Sequence, residues 1–469
     1  MLGLVGAFML GCGALSKWWL RDGVEAWGAL LGCGAGVGAV AAALWWGVRS
    51  KAELTRKDGV GVVTFGWVAA CLAGAVPFWA SGTIGSWSGA VFESVSGFTT
   101  TGASVIADVE GVARGLLLWR AVSQFLGGVG VLVLLVAILP MAGAGGSQLF
   151  RAELPGPTKD RVEPRIANNA KILWGVYLLL TGALVVVLLP KMDFFEALCH
   201  ALCTLSTGGF STRNASVAAF GSGYVEWVVT AFMLLGAMNF TLHWRTLRGG
   251  GLPHWRDGET RFYLAAVAVV TAAAAWSLRR NGLGVGDAVR TAAFTVATLS
   301  SSTGFGVADY NAWPAAIKAA LLGLMLMGGV SGSTAGGAKV GRVQVVAKTM
   351  TRELRKFMQP KAVLPMKHGG RTLDEGLLLS ILGFVSLFAA LLAAGTVALI
   401  PMMPDAVSAL GAAAASLGNT GPGFGAVGPA ETYAGVPAPG LWVLSGLMLA
   451  GRLELYTALA VFAPSFWRR

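Results

Sequence analysis

Apolar runs of about 20 residues alternate with short polar segments along nearly the whole chain. They lie near residues 2–20, 24–48, 60–80, 116–140, 172–190, 225–243, 262–278, 313–345, 377–400 and 441–463. A helix of that length crosses a hydrocarbon core roughly 30 Å thick. After the first two runs, the others pair up, and a shorter half-apolar segment sits inside each pair. These segments, at residues 86–97, 194–205, 287–299 and 405–417, are too brief to cross. The pattern predicts an all-α integral membrane protein. It consists of an N-terminal pair of spans (residues 1–57) and four span–re-entrant loop–span repeats, at 58–145, 146–256, 257–368 and 369–469. That makes ten spans and four half-helices. The first run is short for a span, and the return segment of the third repeat is interrupted.

Each half-helix ends on the same short phrase. The four read Thr99-Thr100-Thr101-Gly102, Leu205-Ser206-Thr207-Gly208, Ser301-Ser302-Thr303-Gly304 and Gly418-Asn419-Thr420-Gly421. The dipeptide is weak evidence alone, because the chain has five Thr-Gly pairs and one, Thr181-Gly182, lies inside an apolar run. The position of the other four, at one point of consecutive hydropathy units, is what carries information. Stripping water from a cation requires substitute oxygens, and rings of backbone carbonyls supply them. Glycine lets the backbone turn those carbonyls. A half-helix ending there directs its negative end toward the ion. No Asp or Glu lies in any phrase, which argues against a carboxylate site for a divalent ion. One such phrase would ordinarily be a polar turn between hairpin spans; four in register point to a fourfold pore.

Composition agrees with this picture. Hydrophobic residues make up 55% of the chain and charged residues only 12%, with a mean hydropathy of +0.67. The net charge of +12 raises nucleic acid as a partner, but the basic residues follow a membrane pattern instead. About 22 of the 35 Lys and Arg lie in the segments at 49–57, 151–171, 245–261 and 339–371. The positive-inside rule places those segments, and both termini, in the cytoplasm and the four phrases outside. Lipid is then the surrounding partner, and no nucleic acid is expected. Five cysteines in or beside apolar segments do not form a disulfide framework. Cys199 and Cys203 flank His200, a spacing open to a metal but more simply read as packing. Residues 2–15 lack the basic start and cleavage site of a signal peptide.

Two further features stand out. Residues 328–339 hold five glycines in twelve positions: Gly328, Gly329, Val330, Ser331, Gly332, Ser333, Thr334, Ala335, Gly336, Gly337, Ala338 and Lys339. Such a run is a poor helix. Irregular backbone at membrane depth belongs where it lines a cavity or is buried in protein, which suggests a movable constriction; close packing against a neighbouring helix is the other reading. The order does not fit a phosphate-binding loop. Arg452 lies deep in the last span, where a charge faces a pore or partner, or else snorkels to the surface. Glu93 and Glu196 fall in the first two half-helices, either bracing the filter or solvated at its rim. The four histidines form no cluster, no nucleophile is assembled with a base, and no span is rich in arginine. An enzyme and a voltage sensor are therefore not expected.

On these stretches (96–103, 205–212, 301–306, 419–425, 328–339 and 451–455) the sequence resembles the Trk/Ktr/HKT superfamily of potassium transporters. With its extra N-terminal pair of spans it is most similar to the TrkH-like branch. The resemblance covers nearly the whole chain. It implies four pseudo-symmetric pore repeats in a bacterial cytoplasmic (inner) membrane, conducting potassium down its gradient. It also implies a homodimer with one pore per subunit, controlled by cytoplasmic TrkA-like nucleotide-binding subunits. It carries the potassium-binding filter role onto Thr100, Thr101, Gly102, Ser206, Thr207, Gly208, Ser302, Thr303, Gly304, Asn419, Thr420 and Gly421. The gate role falls on Gly328, Gly329, Ser331, Gly332, Ser333, Thr334, Gly336, Gly337 and Lys339, and the barrier role on Arg452. Plant relatives with serine at the first filter glycine are associated with sodium permeation, so four glycines favour potassium. Departures are Ala338 and Gly341, where larger aliphatics are expected, and Asn419 in place of Ser or Thr. The transported ion is the only cofactor expected. The alternative is a proton- or sodium-coupled symporter, which would normally show a membrane-buried carboxylate; Glu454 is the main acidic residue within a span.

Overall fold

The structure, a computed structural model, describes residues 1–47, 55–137, 163–362, 364–369 and 371–467. The basic positions Arg49, Lys51, Arg468 and Arg469, and those from Arg151 to Arg161, lie outside the described residues. Seven described helices are long and apolar enough to cross a membrane unbroken: Leu2–Leu20, Val24–Gly47, Lys57–Ala80, Arg114–Leu132, Asn169–Leu188, Gly258–Arg280 and Glu375–Met402. Large apolar side chains such as Trp45, Val62, Val186, Val269, Leu379 and Val397 are exposed on their outer faces. That is the surface a helix offers to lipid, since its backbone is satisfied internally. The first two helices pack as a close pair. A Cβ on Gly6 would sit 2.9 Å from the Gly34 carbonyl, so only small residues allow this approach.

The four short helices are Trp87–Phe98, Phe194–Leu205, Val285–Ser300 and Ala406–Leu417. Three of them start where the sequence supplies a side-chain cap. Ser86 Oγ accepts from Gly89 N at 3.1 Å, Asp193 Oδ1 from Glu196 N at 2.6 Å, and Asp405 Oδ1 from Ser408 N at 2.9 Å. The third begins at Gly284 with no side-chain cap. Their C-terminal halves are buried throughout, among the largest core side chains Phe92, Phe98, Trp119 and Phe294.

The ten expected spans are not ten continuous helices. Three return segments are broken, where the sequence predicted only one interruption. In the second repeat Gly223–Gly236 and Phe240–Leu247 meet at 104°. The freed carbonyls of Gly236 and Ala237 accept from Thr334 N at 3.3 Å and Val330 N at 2.9 Å, while Asn239 caps the next helix. In the third, Ala315–Met327 and Val340–Met358 flank the glycine-rich segment. In the fourth, Ala438–Arg452 stops directly after the arginine, and Leu455–Ala460 resumes beyond Glu454, whose φ is +61°. Hydropathy did not reveal the breaks in the second and fourth repeats, because Asn239, Arg452 and Glu454 are single polar residues within runs that stay apolar when averaged over a span. The only described strands are the two-residue pair Lys367–His368 and Arg371–Thr372.

Candidate functional site

The C-terminal ends of the four half-helices share one backbone pattern. The residue after each helix cap is left-handed: Thr100 at φ 52°, Thr207 at 55°, Ser302 at 55° and Asn419 at 52°. Two residues later comes a left-handed glycine: Gly102 at 86°, Gly209 at 76°, Gly304 at 90° and Gly421 at 88°. The amides between them point back into the helix. Thr101 N donates to Ser96 O at 2.8 Å, Gly208 N to Cys203 O at 2.8 Å, Thr303 N to Thr298 O at 2.9 Å and Thr420 N to Ala415 O at 2.8 Å. This six-residue closure is the Schellman type of helix ending. It ties down the N–H groups and fixes the direction of the carbonyls that follow.

The second loop corrects the register expected from sequence. The repeat unit there is Thr207-Gly208-Gly209, not Ser206-Thr207-Gly208. Ser206 is the helix cap, equivalent to Thr99, Ser301 and Gly418. The left-handed glycine is Gly209, a residue the Thr-Gly spacing passes over. Two glycines in tandem allow the dipeptide to be read one position early; the φ values and the Gly208–Cys203 bond do not.

The loops form a closed ring. A Cβ on Gly102 would collide with the carbonyl oxygen of Gly208, and one on Gly209 with that of Thr303. One on Gly304 would collide with that of Thr420, and one on Gly421 with that of Thr101. Each glycine therefore packs on the equivalent carbonyl of the next repeat, in the order one, two, three, four, one. Only a pseudo-fourfold arrangement about a common axis gives that cycle, and only glycine fits at each station.

Buried side chains brace the ring from behind. Glu93, fully buried, accepts from Arg120 Nε at 2.8 Å, Ser104 Oγ at 3.0 Å and Val105 N at 3.0 Å. The Arg120 guanidinium also reaches Ser211 O at 3.2 Å and lies 3.9 Å over the Phe210 ring. At the matching place in the second repeat, His200 bonds Ser211 Oγ at 3.0 Å and Glu196 O at 2.8 Å. Sequence reading gave His200 no role; its spacing of 107 from Glu93 in the repeat was the available signal. Tyr433 Oη donates to Gly421 O at 2.8 Å. Gln124, which the sequence reading passed over, donates to Gly208 O at 2.6 Å and accepts from Phe210 N at 3.1 Å. Glu196 pairs with Arg213 at the rim (2.7 Å). Cys199 and Cys203 are free buried thiols, and among the described residues no group of three metal-ligating side chains exists.

The glycine-rich segment lies against the same axis. Gly336 N donates to Ser302 Oγ at 2.5 Å, and a Cβ on Gly336 would collide with the Gly418 carbonyl. Thr334 Oγ1 lies 3.0 Å from both Leu205 O and Gly236 O. The segment thus touches the C-terminal ends of three half-helices at once, which places it across the axis. Arg452, only 4% exposed, donates from Nη1 to Thr334 O at 2.8 Å. Its Nη2 lies 3.4 Å from Gly127 O in the first repeat. It is therefore held by the loop and does not snorkel to a surface. Lys339 folds back to donate to Ala335 O and to Ser333 O. Ser331 N donates to Glu259 Oε2 at 3.2 Å, and the other Glu259 oxygen meets His368 Nε2 at 3.2 Å. Glu454 pairs with Arg342 at 2.7 Å.

The family model described as TrkH, cation transport protein, matches residues 34–256 and 261–469. The Trk system potassium uptake protein TrkH of Escherichia coli is 37% identical over 440 residues, covering 92% of this chain and 90% of that one. TrkG of the same organism, also a Trk system potassium uptake protein, is 34% identical over 427 residues, covering 90% and 87%. The crystal structure of the potassium transporter TrkH from Vibrio parahaemolyticus superposes with a TM-score of 0.90 at 33% identity, covering 100% of this chain and 97% of that one.

Proposed function

This chain belongs to the TrkH family of cation transport proteins, a multi-pass membrane family with potassium uptake members, and we propose that it is a gated, channel-like pathway for potassium. The closed ring of four glycines, each packed on a neighbouring repeat's carbonyl, is the observation that carries the reading. The filter comprises Thr100, Thr101 and Gly102; Thr207, Gly208 and Gly209; Ser302, Thr303 and Gly304; and Asn419, Thr420 and Gly421. The gate is the loop 328–339 latched by Arg452. The protein works as a homodimer with both termini in the cytoplasm of a bacterial cell, under control of a cytoplasmic TrkA-like nucleotide-binding subunit; the relatives' naming as parts of a Trk system is consistent with such a partner. Ion coupling has less support, because Glu93, Glu259 and Glu454 are each engaged by a basic side chain.

Flux into proteoliposomes at fixed voltage, with potassium, rubidium, sodium or lithium and no proton gradient, tests the proposal. Potassium and rubidium flux under those conditions supports it. Flux that requires an imposed proton or sodium gradient replaces it with a symporter.

Arg452→Ala is expected to raise potassium flux. A unit charge about 6 Å from a passing cation adds about 3 kcal/mol at an effective dielectric of roughly 20, equivalent to about a hundredfold in rate. An unchanged flux would remove Arg452 from the barrier. Glu259→Ala takes away the acceptor of the Ser331 amide and the partner of His368. Basal flux should rise severalfold with the potassium-to-sodium ratio unchanged, because the anchor lies on the gate loop and not on the ring. A changed ratio would place Glu259 in selectivity instead.

A further inference from the structure

Gln124 belongs to the return span of the first repeat, yet both its hydrogen bonds go to the second filter loop. It is fully buried. Its carboxamide donates to the Gly208 carbonyl and accepts from the Phe210 amide, so it straddles Gly209. The orientation of the group is fixed chemically: a carbonyl only accepts and an amide N–H only donates. In the other three loops the position of Gly208 is a threonine whose hydroxyl lies beside the helix cap of its own loop, and that of Thr101 also accepts from Asn419 Nδ2 in the fourth loop at 3.0 Å. Thr101 Oγ1 lies 2.8 Å from Thr99 Oγ1, Thr303 Oγ1 2.7 Å from Ser301 Oγ, and Thr420 Oγ1 3.5 Å from Gly418 O. The second loop has no such hydroxyl. A Cβ on Gly208 would overlap the Gln124 carboxamide. The two residues therefore occupy one space, and either a threonine or the pair Gly208 with Gln124 can fill it.

We propose that Gln124 is the positioning residue for the second filter loop. It takes the place of the threonine hydroxyl of the other three, and Gly208 is glycine in order to admit it. The proposal rests on reading these loops as the filter. It carries two consequences. The second loop is held from a neighbouring repeat, so its geometry follows the first return span. The Gly208 carbonyl shares its electron density with an N–H donor, so it is a weaker cation ligand than an oxygen without a donor. Selectivity then depends on a side chain outside all four filter phrases.

Rubidium and sodium uptake into proteoliposomes at fixed voltage tests this with Gln124→Leu, Gly208→Thr and the double variant Gly208→Thr/Gln124→Ala. Gln124→Leu should lower the rubidium-to-sodium ratio at least tenfold. Gly208→Thr alone should abolish flux, because the new side chain meets the carboxamide. The double variant should recover at least a third of the parent ratio, since the added hydroxyl comes within reach of Ser206, as Thr303 does with Ser301. A purely structural role for Gln124 would not give that rescue. A parent-like ratio in Gln124→Leu, or a double variant no better than Gly208→Thr, overturns the proposal. If Gln124→Leu does not survive purification, the double variant alone decides. A parent protein without rubidium flux overturns the filter reading itself, an outcome distinct from a selective parent with an indifferent Gln124.

Discussion

Replacing Gly209 with alanine should reduce potassium flux by about two orders of magnitude or more. Two costs act together. The residue sits at φ +76°, a conformation that costs a non-glycine residue about 1–2 kcal/mol. Its Cβ would also collide with the backbone carbonyl of Thr303 in the next repeat. A backbone carbonyl in a closed ring cannot swing aside as a side chain can, so the third loop must move. A filter that replaces hydration water depends on those oxygens. Losing about 3 kcal/mol of barrier complementarity corresponds to about a hundredfold. Gly182→Ala is the internal control. It alters the fifth Thr-Gly dipeptide, where an added Cβ meets nothing within 4 Å, and should leave flux unchanged. The register is tested in the same series. The nearest atoms to a Cβ at Gly208 are those of the Gln124 carboxamide, so flux lost in Gly208→Ala should be rescued by Gln124→Ala, whereas that lost in Gly209→Ala should not be. Rescue of Gly209→Ala by Gln124→Ala would return the filter glycine to position 208.

Glu93→Gln is expected to destabilise the protein by about 3–5 kcal/mol, the usual cost of leaving one partner of a buried ion pair uncompensated. Both side chains are almost fully buried, at 0% and 3% exposure. Arg120 would keep its charge with only neutral groups to solvate it: the substituted carboxamide, the Ser211 carbonyl, the Ser104 hydroxyl and the Phe210 ring. The same carboxylate holds Ser104 and Val105, two and three residues after Gly102 of the ring. Selectivity should therefore fall along with stability. Thermal unfolding in detergent, followed by reactivity of the buried free thiols Cys12, Cys71, Cys199 and Cys203, reads the effect directly. The midpoint should drop by several degrees. Glu93→Leu/Arg120→Met should recover most of that loss, because an apolar pair of similar volume carries no unpaired charge. If the double variant is as unstable as Glu93→Gln, the pair contributes by hydrogen-bonding the loop rather than by charge balance.

The family relation and the fold class were open to sequence reading because they rest on contiguous residues. Spans are set by transfer free energy summed over about 20 neighbours. The half-helices were visible from their lengths and from the phrase that ends each of them. The glycine-rich interruption at 328–339 was visible because five glycines in twelve residues weaken a helix wherever it lies. Other features were not local. Whether Thr207 or Ser206 begins the second loop depends on a bond from Gly208 back to Cys203 and on the neighbouring Thr303 carbonyl. His200 and Gln124 looked like ordinary residues of apolar helices until the repeats closed around them.

The sequence by itself determined that the chain is an all-α membrane protein, where each half-helix ends, and that a glycine-rich segment interrupts one span. Only the tertiary structure decided the register of the second loop, the breaks after Gly236 and Arg452, and the side chains that brace the ring. The reason is physical. Burial and helix termination are encoded by residues close in sequence. A carbonyl's direction, and a helix's freedom to stop, depend on hydrogen-bond partners supplied by repeats about a hundred residues away.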